Sequence, residues 1–201
     1  MNARDEILAR TRLGLTAPPA PEAPAGMEYP TSAAMLDRFV ERLVDYKADV
    51  TRCTPDGLAA AVGKALDGVA RLVVPADLPG AWLSGYTGDI TTAGLEKDLK
   101  EDRVDAVVTG CAVAIAETGT IVLDAGPAQG ARALSLIPDR HVCVVRHDQV
   151  HPDVPDAVVR LTPTRPLTWI SGPSATSDIE LNRVEGVHGP RQLHVILVAT
   201  A

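Results

Sequence analysis

Residues Trp169 to Val198 read WISGPSATSDIELNRVEGVHGPRQLHVILV, and this stretch holds the strongest signals for fold and function. It begins and ends in apolar runs, at 168–171 and 193–198, whose near-continuous character is typical of strands buried on both faces. The loop between them is dense in Ser, Thr, Asp, Glu, His and Gly. Since loops on a rigid scaffold carry binding and catalytic groups, the stretch predicts two core strands joined by a functional loop.

The rest of the chain alternates between strand-like and helix-like patterns. Apolar residues from Met35 to Val44 recur at helical spacing, and Thr54 followed by Pro55 predicts the capped start of a second helix. Strands are predicted at 50–53, 69–74, 90–92, 104–109, 121–124, 141–145, 168–171 and 193–198. Such alternation predicts an α/β fold, a mostly parallel sheet flanked by helices.

Composition excludes several classes of protein. The 201 residues carry a net charge of −7 with no basic patch, so a nucleic-acid partner is not expected. The three cysteines, Cys53, Cys111 and Cys143, form no C-x-x-C pair, so neither a zinc ribbon nor a cysteine-ligated iron–sulfur cluster is expected within this chain. With no signal-peptide or membrane-spanning run, we expect a cytoplasmic protein with reduced thiols.

The chain divides at about residue 30. Residues 2–13 could form a short helix, and five prolines within 16–30 predict an extended linker. We therefore predict an N-terminal arm and Pro-rich linker at 1–30, followed by one domain at 31–201.

A first group of candidate site residues follows the predicted strand at 104–109. Thr109 and Gly110 stand at the carboxyl end of that strand, where ligands bind in open α/β sheets, although a plain turn is an equal alternative. Glu117 precedes the turn Thr118-Gly119-Thr120. Partial burial would raise its pKa and suit it to act as acid, base or nucleophile, whereas a structural carboxylate would tie down the turn.

The second group lies in the long loop. Ser177-Asp178-Ile179-Glu180 fits a capping box, and a helix start can equally bind an anion. His188, near Glu185 and Asp178, could shuttle protons or bind a metal, although a plain hydrogen bond is the commoner role. The loop 126–130, with Gln129, reads as a surface turn more than as a ligand contact.

Three motifs together resemble the LUD-domain family. They are TGCAVAIAETGT at 109–120, SLIPDRH at 135–141, and GPSATSDIE through EGVHGP at 172–190. The resemblance extends from about residue 31 to the C-terminus. It implies a fold similar to the sugar-phosphate isomerase and CoA-transferase-like α/β superfamily. In that superfamily some enzymes use a glutamate nucleophile, but Glu-Thr-Gly departs from the usual Ser-Glu-Asn-Gly, so covalent acyl chemistry is not carried over.

The resemblance also implies a role in oxidising L-lactate to pyruvate with two other subunits, which carry cysteine-rich redox or iron–sulfur motifs. This chain lacks those cysteines, so it is expected to be an accessory, non-redox subunit with no cofactor of its own. The alternative is a stand-alone enzyme or sensor for a small carboxylate or phosphate ester, with Glu117 as base or nucleophile.

On either view, we expect the two distant turn segments to fold side by side into one cleft at the edge of the sheet, occupied by a small anion such as lactate. No metal ligands are assigned. The candidate catalytic residue is Glu117, and the candidate ligand-binding residues are Thr109, Gly110, Thr118, Gly119, Thr120, Gly172, Ser174, Thr176, Asp178, Glu185 and His188.

Overall fold

A computed structural model describes residues 3–15, 31–92, 104–176, 184–185 and 189–200. The first segment is an exposed helix, α1 (Ala3–Leu15), which confirms the predicted N-terminal helix. The predicted Pro-rich linker lies outside the described residues. None of the helices within the described ranges combines the length and apolar character needed to cross a membrane.

A six-stranded sheet forms the centre of the domain, and every neighbouring pair in it is parallel. This confirms the predicted α/β class. Its strands are β1 (Asp49–Cys53), β2 (Arg71–Val74), β3 (Asp89–Thr92), β4 (Ala106–Thr109), β7 (Arg140–Arg146) and β12 (Gln192–Val198). They stand in the order β1-β12-β7-β4-β2-β3.

Helices cover both faces of this large sheet. On one face lies α2 (Ala33–Asp45), which buries Leu36, Phe39 and Leu43 and begins at Ser32, whose side chain accepts a hydrogen bond from the Met35 N–H. On the other face lies α3 (Leu58–Ala65), which follows a 3₁₀ turn at Pro55–Gly57. The expected side-chain cap at Thr54 is absent, because the chain enters α3 through that turn.

A second sheet, which the sequence did not predict, packs beside α2. Its order is β8-β5-β6-β9, with one parallel pair and two antiparallel pairs. The run Val113–Ile115 was not predicted as a strand, since three apolar residues show no periodicity. The strands are β5 (Val113–Ile115), β6 (Thr120–Leu123), β8 (Val150–His151) and β9 (Thr168–Ile170), accompanied by a short helix, α4 (Val154–Val158).

Short 3₁₀ helices complete the connections, and a small antiparallel pair follows β9. One 3₁₀ helix spans Arg132–Ser135. The other 3₁₀ helices are Gly80–Leu83 and His147–Gln149, and the pair consists of β10 (Ala175–Thr176) and β11 (Val184–Glu185).

Candidate ligand-binding site

The two motif segments meet where β6 pairs with β9. These strands run antiparallel, with Ile121 opposite Ile170. The Thr120 hydroxyl lies 2.8 Å from that of Ser171, and 2.7 Å from that of Thr118. This chain of three hydroxyls confirms that the two segments come together at this point. A single cleft shared by both is not confirmed, because the described lining of the adjacent cavity includes Ser171 but no residue of 109–120.

A cavity opens directly beyond this junction, between the large sheet and β9. We call it the motif cavity, and its volume is about 250 Å³. It takes its walls from the predicted loop, from the end of the 3₁₀ helix at Arg132–Ser135 and from two strands of the large sheet. Its lining residues are Ser135, Leu136, His141, Thr168, Trp169, Ile170, Ser171, Gly172, Pro173, Ser174, Pro190 and Leu193.

His141 is the most distinctive residue of the motif cavity. It sits near the start of β7, only 1% exposed, and its Nε2 shares a 2.7 Å hydrogen bond with the Thr109 hydroxyl. Burial lowers the pKa of His141 from 6.5 to about 4. The imidazole is therefore neutral near pH 7 and can act as a hydrogen-bonding group there but not as a cation.

Sequence reasoning missed His141, although a signal was present. The residue directly precedes an apolar run that is buried throughout, from Val142 to Val145. A buried polar side chain requires a hydrogen-bond partner, and the strand pairing supplies one, since Thr109 on β4 lies opposite Cys143 on the neighbouring β7. Thr109 was predicted to touch the ligand, and in the structure its hydroxyl contacts His141 and Cys143.

Hydroxyl groups line the motif cavity together with His141. Ser135 is buried and donates to the Arg132 carbonyl at 3.1 Å, and Thr168 is also buried. Ser174 is held by its N–H, which donates to the Pro190 carbonyl at 2.8 Å. The described lining thus offers donors and acceptors, without a charged group, to a small polar molecule.

The glycine that begins the loop has a packing role as well. Gly172 adopts φ +86°, and a Cβ there would stand 2.6 Å from the Cβ of Tyr46. The backbone must therefore pass close to Tyr46, the residue that follows α2, which only glycine permits. This contact holds the cavity wall against the helix.

The turn between β5 and β6 faces α2 instead of the motif cavity. Glu117 is exposed, and its N–H donates to the Pro152 carbonyl at 3.1 Å. Gly119 adopts φ +62° and packs directly against the main chain of Arg42. The turn is tied down through its backbone, and a catalytic role for Glu117 stays a prediction.

Gly110 does not line the motif cavity, but borders a second one. Its N–H donates to the Ala128 carbonyl at 2.7 Å, and it lines a cavity at the carboxyl ends of β4 and β7. Gln129 borders the same cavity, and it is 3% exposed, so the expected surface turn is wrong at that residue. Its Oε1 accepts the Asp124 N–H at 2.6 Å and braces the loop.

The remaining candidates are only partly described. Thr176 and Glu185 belong to the short pair β10 and β11, which joins the two ends of the long loop. Asp178, His188 and the predicted capping box at 177–180 lie outside the described residues.

The buried Cys111 thiol is poorly suited to act as a nucleophile. A hydrogen bond with Cys143, followed by burial, raises the pKa of Cys111 well above its ordinary value. Cys143 is fully buried and lies 3.7 Å from the Gly110 carbonyl oxygen. The Cys111 thiol, with its pKa raised in this way, is protonated and a poor nucleophile at neutral pH.

The low pKa of His141 leads to a prediction about stability and pH. Between pH 6.5 and about 4 the unfolded histidine binds a proton that the folded one does not, so folding stability falls as the pH drops through this window. Over this window the lowered pKa of His141 should reduce the free energy of unfolding by about 3 kcal/mol. Urea unfolding between pH 7 and 4 should show this fall, and His141→Asn should reduce its size.

His147→Asn is the matched control, because His147 also has a pKa lowered by burial but is much less enclosed. It should leave most of the pH dependence in place. If His141→Asn leaves the pH dependence of wild type unchanged, then His141 is not held neutral in the folded chain.

These features define an α/β protein with a parallel central sheet and a small polar cavity where a second, mixed sheet packs against it. The LUD-domain family model matches residues 81–198. The chain is 50% identical to the lactate utilization protein C of Deinococcus radiodurans over 185 residues, which cover 89% of this chain and 87% of that protein. The chain therefore belongs to the LUD-domain family, in its lactate utilization protein C group.

Other relatives agree with this placement. The lactate utilization protein C of Bacillus subtilis is 32% identical over 53% of this chain and 47% of its own length. A crystal structure of a DUF162 family protein from Deinococcus radiodurans has a TM-score of 0.69 and 41% identity, and covers 85% of this chain and 99% of its own. The comparison of folds thus supports the sheet topology described above.

Proposed function

We propose that this chain is an accessory subunit of a cytoplasmic L-lactate-oxidising system and that its motif cavity binds a small hydroxy acid. The observation that carries the proposal is the position of the family motifs. The SLIPDRH motif contributes Ser135 and His141 to the cavity, and the GPS motif contributes Gly172 and Ser174. The name of the 50% identical relative supplies the biological process.

The chemistry of the cavity suits this ligand. A hydroxy acid presents one hydroxyl and one carboxylate, which need donors and acceptors at short range. Buried serine and threonine hydroxyls, together with a neutral imidazole, provide them. A neutral His141 can accept the hydroxyl proton of lactate or donate to an oxygen, depending on which ring nitrogen is protonated.

The electrons require partner subunits. Oxidation of lactate to pyruvate releases two electrons and two protons, so a redox group must accept the electrons. We propose that two further subunits with iron–sulfur clusters take them and that this chain contributes binding and positioning. We propose no iron–sulfur cluster for this chain itself, because its three cysteines are spaced tens of residues apart.

Expression with and without the two partner subunits tests this function. The isolated chain should not oxidise lactate, whereas all three chains should co-purify and reduce an electron-accepting dye when lactate is added. Within that complex, His141→Asn should raise the lactate KM or lower kcat at least about tenfold, since a lost hydrogen bond to a charged ligand has this cost.

The variant Glu117→Gln is the control in the same assay. Glu117 is exposed beside α2, so the variant should keep turnover within about twofold of wild type. Turnover of lactate by the isolated chain, or failure to co-purify, would overturn the accessory role. Loss of turnover with unchanged affinity in Glu117→Gln would instead make Glu117 a catalytic residue.

A further inference from the structure

A second cavity, separate from the motif cavity, lies at the carboxyl ends of β4 and β7 and is lined by positively charged side chains. Its volume is about 360 Å³, and we call it the arginine cavity. Three arginines line it, from the end of β7 and from the segment after α4. The lining residues used below are Arg146, Arg160, Arg165, Asp124, Gln149 and Trp82.

Each arginine is held in position by a contact. The Arg165 guanidinium donates to Asp124 at 2.9 Å, and the side chain of Asp124 is only 8% exposed. Arg160 donates to the Asp156 carbonyl at 2.9 Å, near the end of α4. The side chain of Gln149 accepts the main-chain N–H of Arg146 at 2.9 Å and donates to the Cys111 carbonyl at 2.7 Å. These two bonds fix the main chain at Arg146.

The charge balance of the arginine cavity favours an anion. Its lining has three guanidinium groups and one carboxylate, on a chain whose net charge is −7. Asp124 is bonded to Arg165, and the exposed Asp148 pairs with Arg146 at 3.0 Å. A guanidinium has five N–H donors, so one carboxylate contact leaves capacity for a phosphate, whose geometry it matches.

An apolar basin of about 550 Å³ adjoins the arginine cavity, since Trp82, Val144 and Arg146 border both. Its walls include Leu58 and Val198 and are mainly apolar. Trp82 is half-buried and packs against the core beneath α3, so its indole ring is a fixed surface at the boundary. The flat face of another aromatic ring stacks favourably on the indole ring.

We propose that the arginine cavity and this basin together bind a mononucleotide, an organic phosphate with a flat ring at its other end. The phosphates lie against Arg146, Arg160 and Arg165, and the base lies in the basin beside Trp82. The site also stands outside the carboxyl ends of parallel strands, where open α/β sheets bind ligands. It does not depend on the role proposed for the motif cavity.

The chain's own tryptophans provide the assay. Trp82 borders the arginine cavity and Trp169 the motif cavity, and the sequence has only these two. In the full chain carrying Trp169→Phe, fluorescence therefore reports on Trp82 alone. Addition of ADP should quench it in a saturable way, and calorimetry on the unmodified chain should give the same affinity.

Comparison ligands and variants sharpen the test. ADP should bind at least about tenfold more tightly than either pyrophosphate or adenosine, because only ADP fills both halves of the site. The pair Arg146→Gln and Arg160→Met should weaken ADP binding at least about tenfold, whereas Arg38→Gln, an exposed charge on α2 outside both cavities, should not. Arg165 is left intact because it pairs with buried Asp124.

Trp82→Leu gives a second, independent measurement by calorimetry. It should weaken ADP binding and leave pyrophosphate binding unchanged. The proposal is overturned if ADP shows no saturable binding, if pyrophosphate binds as tightly as ADP, or if Arg38→Gln weakens binding as much as the cavity variants do. Thermal melts of each variant confirm that the fold is retained.

Discussion

Gly119→Ala is expected to destabilise the folded chain by about 3 to 5 kcal/mol. Gly119 has φ +62°, and an added Cβ would lie 2.6 Å from the Arg42 Cβ, 2.9 Å from the Arg42 carbonyl carbon and 3.0 Å from the Leu43 nitrogen. Two of these neighbours are main-chain atoms of α2, so a side-chain rotation cannot relieve the overlap. Urea unfolding of both proteins would measure the difference in the free energy of unfolding.

Gly68→Ala is the matched control. Gly68 has a similar φ of +75°, but a Cβ there would meet nothing within 4 Å. Its free energy of unfolding should fall by only about 1 kcal/mol, which is the cost of placing alanine in the left-handed backbone conformation. The difference between the two variants isolates the contact between the turn and α2, and equal losses would show that this contact is loose in solution.

The same variant also examines the ligand-binding role predicted for Gly119. A large loss of stability would show that the glycine is required for packing, because the turn must approach α2 closely. If stability stayed at the wild-type value and only ligand affinity changed, then Gly119 would be a binding residue and the packing explanation would be wrong.

Phe39→Ala is expected to cost about 3 to 5 kcal/mol, since it removes a large buried side chain and leaves a cavity. Phe39 is the only phenylalanine in the chain and is fully buried between α2 and the large sheet. Its neighbours in that cluster include Val145 and Val195, which belong to strands that cannot move without breaking the sheet. The surrounding structure therefore cannot collapse to fill the space.

Val44→Ala on the same helix is the comparison. Val44 is 52% exposed, so its truncation should change the free energy of unfolding by about 0.5 kcal/mol or less. Calorimetric melting of both variants would test the ranking. A Phe39→Ala protein as stable as Val44→Ala would mean that α2 is not packed on the sheet as described.

Much of the fold was predictable because its signals are local. The strands from Arg71 to Val74 and from Gln192 to Val198 are mostly apolar in sequence, and neither is an edge strand of the large sheet. The second sheet was not predictable, because β5 and β8 have only three and two residues. Such short strands are stabilised by neighbours distant in sequence, and no window of residues reports them.

The candidate site shows the same division. The chemistry-bearing loops were recognised from their composition, and the hydrogen bond between Thr120 and Ser171 confirms that they meet. Their division between two cavities could not be predicted. Thr109 and Gly110 are adjacent in sequence, yet Thr109 is hydrogen-bonded to His141 of the motif cavity, whereas Gly110 borders the arginine cavity.

Local sequence was thus sufficient for the class of fold, the family and the segments that carry polar groups, since periodicity, turn residues and motifs are properties of neighbouring residues. Only the packed chain brings His141 to the wall of the motif cavity, Gly119 against α2, and Arg146, Arg160 and Arg165 around one cavity. These placements depend on strand order and on contacts between residues far apart in the chain. They arise when the two sheets and α2 bury their apolar faces against one another.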